Sequence, residues 1–142
     1  LHLIVKTNHH VINLVKKYQI EKNIKIHDFL THPETLNIIS KSYIGISFYN
    51  PAVSHLFWGA SLKIREYAAS GLPTVTDGLT STAEEMKQRN AGFIIKNAEE
   101  MAEKVKMLIK DKKLYNKTRN NALQWAKEMD KEKIFNEVWK NE

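Results

Sequence analysis

The residues with the clearest chemical potential lie in the segment 61–75. It starts with a serine suited to cap a helix, continues with a helical pattern, and closes with Gly71 and Pro73 before a short apolar run. Lys63 and Arg65 lie near the start of the predicted helix. The exposed amides there are already positive, so a cation is unfavourable by about 0.3–1 kcal/mol. A phosphate on the free amides would offset this charge, and the segment therefore predicts an anion site.

The same helix places Glu66 one turn after its start, about 6 Å further along the axis. Its side chain leans back toward the helix start, and a carboxylate can accept hydrogen bonds from two neighbouring sugar hydroxyls. Free amides followed by such a glutamate would suit a nucleoside diphosphate. An ordinary surface helix, with Glu66 and Lys63 in water, is the alternative. The apolar face of this helix is predicted at Leu62, Tyr67, Ala68 and Ala69.

Length and composition predict one globular domain. The chain has 142 residues, of which 42% are hydrophobic and 27% charged, and a chain of this size can bury a sizeable core. No apolar run approaches the roughly 20 residues that span a membrane, and residues 1–5 do not have the pattern of a signal peptide. The sequence has no cysteine, which excludes disulfides and thiolate metal sites.

The formal net charge is +6, and lysines concentrate at residues 16–17 and 110–117. Such a surface attracts nucleic acid, an anionic membrane face or a phosphorylated small molecule alike. Solvated helix faces are the ordinary explanation of the lysine clusters. Aromatic residues do not alternate with basic ones, and zinc-finger and RNA-recognition signatures are absent, so we expect no nucleic-acid partner.

Apolar runs and helical patterns alternate along the chain. Strands are predicted at residues 1–5, 24–29, 44–49, 72–76 and 92–95, and helices at 11–18, 33–40, 61–70, 83–90, 98–109, 114–129 and 134–139. This order predicts an α/β fold, a doubly wound, Rossmann-like parallel sheet with helices on both faces and a helical C-terminal segment. Ligands bind beyond the carboxyl ends of such strands, where the loop 50–61 lies.

Other residue patterns carry weaker signals. The six histidines do not form a metal-binding pair, and Ser-His-Asp, GxGxxG and Walker motifs are absent, so neither a metal site nor catalytic residues are assigned. His55 is a candidate ligand contact in the loop 50–61, and Trp58 could stack on a sugar or base or anchor the loop on the core. Residues 80–82 predict helix caps, with Ser81 and Thr82 in capping-box spacing to Glu84 and Glu85; a position at the border of a sugar pocket is the alternative.

Five segments together resemble a known family. They are residues 44–49, 61–75, Glu84 or Glu85, 91–95, and the closing helices at 121–139. This order resembles the carboxyl-terminal donor-binding domain of GT-B glycosyltransferases, particularly the retaining group 1 (family 4) enzymes. The resemblance covers nearly the whole chain.

The resemblance implies roles for four residues at the predicted anion site. Ser61 and Leu62 would present backbone amides to the diphosphate of a nucleotide sugar, Lys63 would add positive charge, and Glu66 would hold the ribose hydroxyls.

The resemblance also implies contacts outside this segment, and it has two departures. The backbone of Phe29 and Leu30 would lie near the nucleobase, and His55 and Trp58 remain candidate base or sugar contacts.

Trp58 stands where the family commonly has a second glutamate near the donor sugar, which leaves sugar identity and donor class open. The family's domain starts with a further strand and a loop carrying Arg and Lys, so we expect residues 1–142 to be one partial nucleotide-sugar-binding domain, without that strand and the amino-terminal acceptor domain.

The resemblance finally implies a function. We expect a hexosyltransferase-like enzyme of polysaccharide biosynthesis that transfers a sugar from a nucleotide-diphosphate sugar to a glycan or lipid-linked acceptor, without metal or other cofactor. The 142 residues alone should be inactive, and the expected location is cytoplasmic, with peripheral contact to the inner membrane face. A nucleotide-sugar epimerase and a non-catalytic Rossmann-like binding module are the alternatives.

Overall fold

The computed structural model describes residues 1–5, 9–49 and 59–139, with the backbone alone at 137–139. The chain divides into two compact units, Leu1–Lys41 and Ser42–Glu142. Each unit is described separately below.

The first unit is a strand–helix–strand motif followed by a second helix. Its elements are β1 (His2–Ile4), α1 (His9–Lys17), a single 3₁₀ turn (Glu21–Asn23), β2 (Lys25–His27) and α2 (His32–Ser40). β1 and β2 are parallel, with Leu3 opposite Ile26. α1 and α2 contribute Val15 and Ile39 to the buried side chains of the unit.

A capping box starts α2. The Thr31 hydroxyl accepts a hydrogen bond from the Glu34 backbone N–H, and the Glu34 carboxylate accepts one from the Thr31 N–H at 2.8 Å. The Thr31 hydroxyl also donates to this carboxylate, and these bonds lower the pKa of Glu34. Pro33 occupies the first turn of α2, as the sequence predicts.

The second unit contains a three-stranded parallel sheet in the order β3-β4-β5. Its elements are β3 (Gly45–Ser47), α3 (Leu62–Ala69), β4 (Thr74–Thr76), α4 (Ser81–Gln88), β5 (Gly92–Ile94), α5 (Ala98–Lys110), α6 (Lys112–Glu128) and α7 (Lys131–Trp139). The register places Ser47 of β3 and Ile94 of β5 on either side of Thr76. β4 is therefore the central strand, and its residues are all buried.

Two apolar clusters pack the helices of the second unit. Helices α3, α4 and α6 form the first, with Ile64, Ala68, Ala83, Met86, Ala91, Ala122 and Trp125. The other cluster packs α5 and the start of α6 on the sheet through Val75, Ile95, Leu108 and Tyr115. Side chains alternate between the two faces of a strand, so Thr74 and Thr76 lie on the face opposite Val75.

The predicted fold class is confirmed, because parallel strands alternate with helices and the chain continues in helices after β5. The strand pairing differs from a single sheet: the described strands form one two-stranded and one three-stranded sheet. Periodicity identifies a strand but contains no information on its pairing partner. Each described strand has three residues, so it is also shorter than its apolar run.

Candidate functional site

The start of α3 is held by Ser61. Its side-chain oxygen accepts a hydrogen bond from the Ile64 N–H at 3.3 Å, which confirms the predicted cap. Its own backbone N–H donates to the Thr82 hydroxyl at 2.8 Å. Both Ser61 and Thr82 are buried, so the N-terminus of α3 is anchored on the first turn of α4.

Two backbone amides at the start of α3 have no acceptor in the described part of the chain. The first N–H groups of any helix lack intrahelical acceptors, and here Ser61 and Ile64 use theirs on Thr82 and Ser61. The structure gives no acceptor, within its described ranges, for the N–H groups of Leu62 and Lys63. The side chains of these two residues are exposed. Both residues therefore adjoin solvent at the start of the helix.

The charges around this helix start are mostly positive. The first turn of α3 contains no acidic residue. The Lys63 Nζ lies 5.2 Å from the centroid of the Tyr49 ring, and Arg65 lies 3.8 Å from a carboxylate oxygen of Glu85. The Glu85 carboxylate offsets Arg65, so the helix dipole and Lys63 supply the local positive potential.

Tyr49 and Asp77 connect the loops around the helix start. The Tyr49 hydroxyl and the Ser61 hydroxyl are hydrogen-bonded to each other. The Asp77 carboxylate accepts hydrogen bonds from the Tyr49 N–H at 2.6 Å and from the Leu79 N–H at 3.2 Å. Tyr49 after β3 and Asp77 after β4 are thus fixed to each other, and Tyr49 is fixed to the start of α3.

Glu66 lies one turn along α3, as predicted, and is half-buried. The neighbouring Tyr67 donates its hydroxyl to the Ile46 carbonyl at 3.2 Å, and its ring occupies the space a Cβ would need at Gly45. Burial raises the pKa of Tyr67, and Tyr49 and Glu66 raise it further. The Tyr67 contacts with β3 fix the position of α3, and hence of Glu66, along the sheet.

Three buried hydroxyls lie at this end of the sheet, and the sequence singled out one of them, Thr80, as a helix cap. The side-chain oxygens of Ser47, Thr76 and Thr80 have no hydrogen-bond partner in the part of the chain that the structure describes. We call Ser47, Thr76 and Thr80 the hydroxyl trio. Ser47 and Thr76 are the last residues of β3 and β4 and are paired in register, and Thr80 follows four residues later. A polar residue ending a buried strand was the available sequence signal.

The predicted apolar face of α3 is correct in part, and the predicted capping box of α4 is wrong. Ala68 is buried as predicted, but Leu62 is 73% exposed, Ala69 is also exposed, and Ile64 completes the buried face. Ile64 and Ala68 lie four positions apart and therefore on the same side of the helix. α4 does not begin with a capping box, because Thr80 precedes it without a side-chain cap and the Thr82 hydroxyl is bound to Ser61.

The remaining predicted contacts lie in the first unit or outside the described residues. Phe29 and Leu30 are part of the first unit, where Phe29 is 81% exposed with a positive φ of 49° and Leu30 is half-buried. His55 and Trp58 lie outside the described residues. The structure thus brings together Ser61, Leu62, Lys63 and Glu66 on the first turns of α3.

Metal-binding clusters and membrane-spanning helices are both absent from the described residues. No three His, Asp or Glu side chains in these ranges are grouped so that they could hold a metal ion. None of the helices described has both the length and the apolar character required to cross a bilayer.

Comparison with known proteins identifies the family. Residues 5–125 match the family model described as Glycosyl transferases group 1. The chain is also similar to Glucosyltransferase 3 of Streptococcus gordonii, with 29% identity over 93 residues. That alignment covers 62% of this chain and 28% of the relative, so the chain spans less than a third of its length. Because the family model covers most of the residues, this chain belongs to the group 1 glycosyl transferases.

Proposed function

We propose that this chain is the donor-binding part of an enzyme that transfers a sugar from a nucleotide-diphosphate sugar to an acceptor. The observation that carries the proposal is the start of α3. There the amides of Leu62 and Lys63 have no acceptor in the described ranges, and Glu66 lies one turn further on. Family membership supports a transferase over an epimerase of similar architecture.

In this proposal the two amides and the Lys63 ammonium group bind the diphosphate. Ser61 fixes the helix start rather than binding the ligand with its N–H, because that N–H is used by Thr82. Glu66 accepts hydrogen bonds from the ribose hydroxyls. Negative charge develops on the diphosphate as the glycosidic bond breaks, and donors already in place stabilise it without reorganisation. We propose no metal or cofactor for this step.

The acceptor and location are also part of the proposal. We propose a glycan or lipid-linked saccharide as acceptor, bound by a domain outside these residues, and a role in polysaccharide biosynthesis in the cytoplasm, at the inner membrane face. The 142 residues alone would then bind donor weakly and transfer no sugar. A transferase assay on this chain that gave rapid turnover would contradict this statement.

Calorimetric titration of the full chain with UDP, GDP and ADP tests the donor site. At least one of the three should bind, and Glu66→Ala should weaken it about 10- to 100-fold, because two hydrogen bonds to a charged acceptor are lost. Glu103→Ala is the matched control, since Glu103 is an exposed helical glutamate on α5. Circular dichroism of both variants shows whether the fold is intact.

The two variants separate a ribose contact from a general charge effect. Equal affinities of Glu66→Ala and the wild type would contradict the ribose assignment. Equal losses in Glu66→Ala and Glu103→Ala would assign the effect to net charge. No binding of any of the three nucleotides would favour a non-catalytic module.

A further inference from the structure

Burying the hydroxyls of the trio without partners among the described residues lowers the stability of the fold. Ser47, Thr76 and Thr80 are 3%, 0% and 4% exposed, and their hydroxyls have no partner among the described residues. Buried polar groups are normally hydrogen-bonded, and each exception calls for a reason. Other buried hydroxyls of this unit are paired, as in Thr74 with the Leu72 carbonyl and Thr118 with the Leu114 carbonyl.

The position of the trio coincides with the ligand edge of a parallel sheet. Ser47 and Thr76 end two adjacent strands, in register, and ligands of such sheets bind at the carboxyl ends of the strands. A continuous set of contacts connects them to the start of α3. Tyr49, two residues after Ser47, bonds to Ser61, and Asp77, next to Thr76, accepts from the Tyr49 N–H.

We propose that the hydroxyl trio binds the hydroxyl groups of the donor sugar. This inference rests on the proposed function, because the amides of Leu62 and Lys63 would fix the diphosphate and the sugar is attached directly to it. Serine and threonine hydroxyls both donate and accept hydrogen bonds, which matches sugar hydroxyls, whereas phosphate oxygens only accept. Side chains commonly change rotamer on binding. Hydrogen bonds between the trio and the sugar would recover the free energy that the unpaired hydroxyls cost the unbound protein.

The test uses Thr76→Val and Ser47→Ala, which remove one hydroxyl each with little change in shape. Thr118→Val is the matched control, because it removes a buried hydroxyl that has a partner. The titrations on the full chain compare UDP with UDP-glucose, GDP with GDP-mannose, and ADP with ADP-glucose. We expect each trio variant to weaken the nucleotide sugar about 3- to 10-fold and to leave the matching nucleoside diphosphate unchanged.

Thermal unfolding without ligand gives a second readout. Replacing an unpaired buried hydroxyl by an apolar group of the same shape removes a desolvation cost, so Thr76→Val should raise the melting temperature by about 2–4 °C. Thr118→Val should not raise it, since its hydrogen bond is lost. If Thr76→Val fails to fold, Ser47→Ala provides the same comparison.

Each other outcome overturns the assignment. Equal weakening of nucleotide and nucleotide sugar would place the trio at the diphosphate. No change in either affinity would make the trio an internal feature of the fold. Failure of the wild-type chain to bind any of the three nucleoside diphosphates would contradict the donor site itself. Binding of nucleotides without any difference for their sugars would contradict the trio alone.

Discussion

The Thr82 hydroxyl accepts a hydrogen bond from the backbone N–H of Ser61 at 2.8 Å, and both residues are buried. This contact attaches the N-terminus of α3 to the first turn of α4, across 21 positions of sequence. The contact uses the backbone N–H of Ser61 and orients the N–H groups that follow it at the start of α3. The ability of α3 to present the Leu62 and Lys63 amides therefore depends on a residue of another helix.

Thr82→Val tests this dependence. The variant leaves the Ser61 N–H buried without an acceptor, so the free energy of unfolding should fall by about 1–3 kcal/mol. Nucleoside diphosphate binding should weaken as well, because the helix start is less firmly held. Urea unfolding and calorimetric titration measure the two effects. Thr82→Ser keeps the acceptor and should lose less of both; a Thr82→Val protein as stable as the wild type would contradict the role of this bond.

Asp77 has a similar role for the loop after β3. Its carboxylate accepts from the Tyr49 and Leu79 N–H groups, and Asp77→Ala leaves both without this acceptor. We expect a loss of about 2 kcal/mol in unfolding free energy, moderated because both amides are only partly buried. Asp77→Asn retains one carbonyl oxygen and should show an intermediate loss in the same urea titration. Equal stabilities of Asp77→Ala and Asp77→Asn would mean that the remaining oxygen of the asparagine stabilises nothing, which would contradict the role of the two carboxylate oxygens as separate acceptors.

The elements of α3 that depend on near neighbours could be predicted from the sequence. Ser61 caps the helix, and Gly71 follows its end with a φ of 69°, a conformation that glycine adopts readily. Both signals act within a single turn. Leu62 shows the limit of the method, because its hydrophobicity assigned it to the core although the buried face follows the four-residue spacing of Ile64 and Ala68.

The contacts that assemble the candidate site were beyond sequence reasoning because they are long-range. Thr82 has the local spacing of a capping box, but Ser61 competes successfully for its hydroxyl. Ser47 and Thr76 become neighbours only through the strand register. The assignment of donor-binding roles to Leu62, Lys63 and Glu66 remains a prediction, with the titrations described above as its test, whereas the N–H expected to make Ser61 a ligand contact is used by Thr82.

His27 in the first unit should make stability depend on pH. Its Nε2 and the Nδ1 of His2 lie 2.9 Å apart, with the ring planes inclined by 13°. Partial removal from water lowers the pKa of His27 below its ordinary value of 6.5, and repulsion from His2 and Lys25 lowers it further. The unfolded chain then binds the proton more readily. Stability from this group is thus complete above pH 6.5 and declines as the pH falls toward the folded-state value.

Urea unfolding at pH 7.5 and pH 5.5 measures this effect. His27→Gln should show a smaller decrease between the two pH values than the wild type. Lys25→Gln removes one repulsive charge from the same strand, so it should also reduce the decrease while His27 remains in place. A wild-type decrease that neither variant reduces would exclude His27 as its source.

Lys63 provides a test of the electrostatic part of the donor site. Its Nζ lies 5.2 Å from the Tyr49 ring centroid, a contact that stabilises the fold by about 0.5–1 kcal/mol at an exposed position. Lys63→Gln should therefore reduce stability slightly but weaken nucleoside diphosphate binding about tenfold, because a charge-assisted hydrogen bond is lost. Lys104→Gln is the matched control, since the Nζ of Lys104 lies 5.6 Å from the Phe93 ring centroid.

Salt screens exposed charges, so raising the ionic strength should weaken binding to the wild type and to Lys104→Gln more than to Lys63→Gln. Equal affinity losses in both lysine variants, with the same salt dependence, would show that net charge rather than the position of Lys63 governs binding.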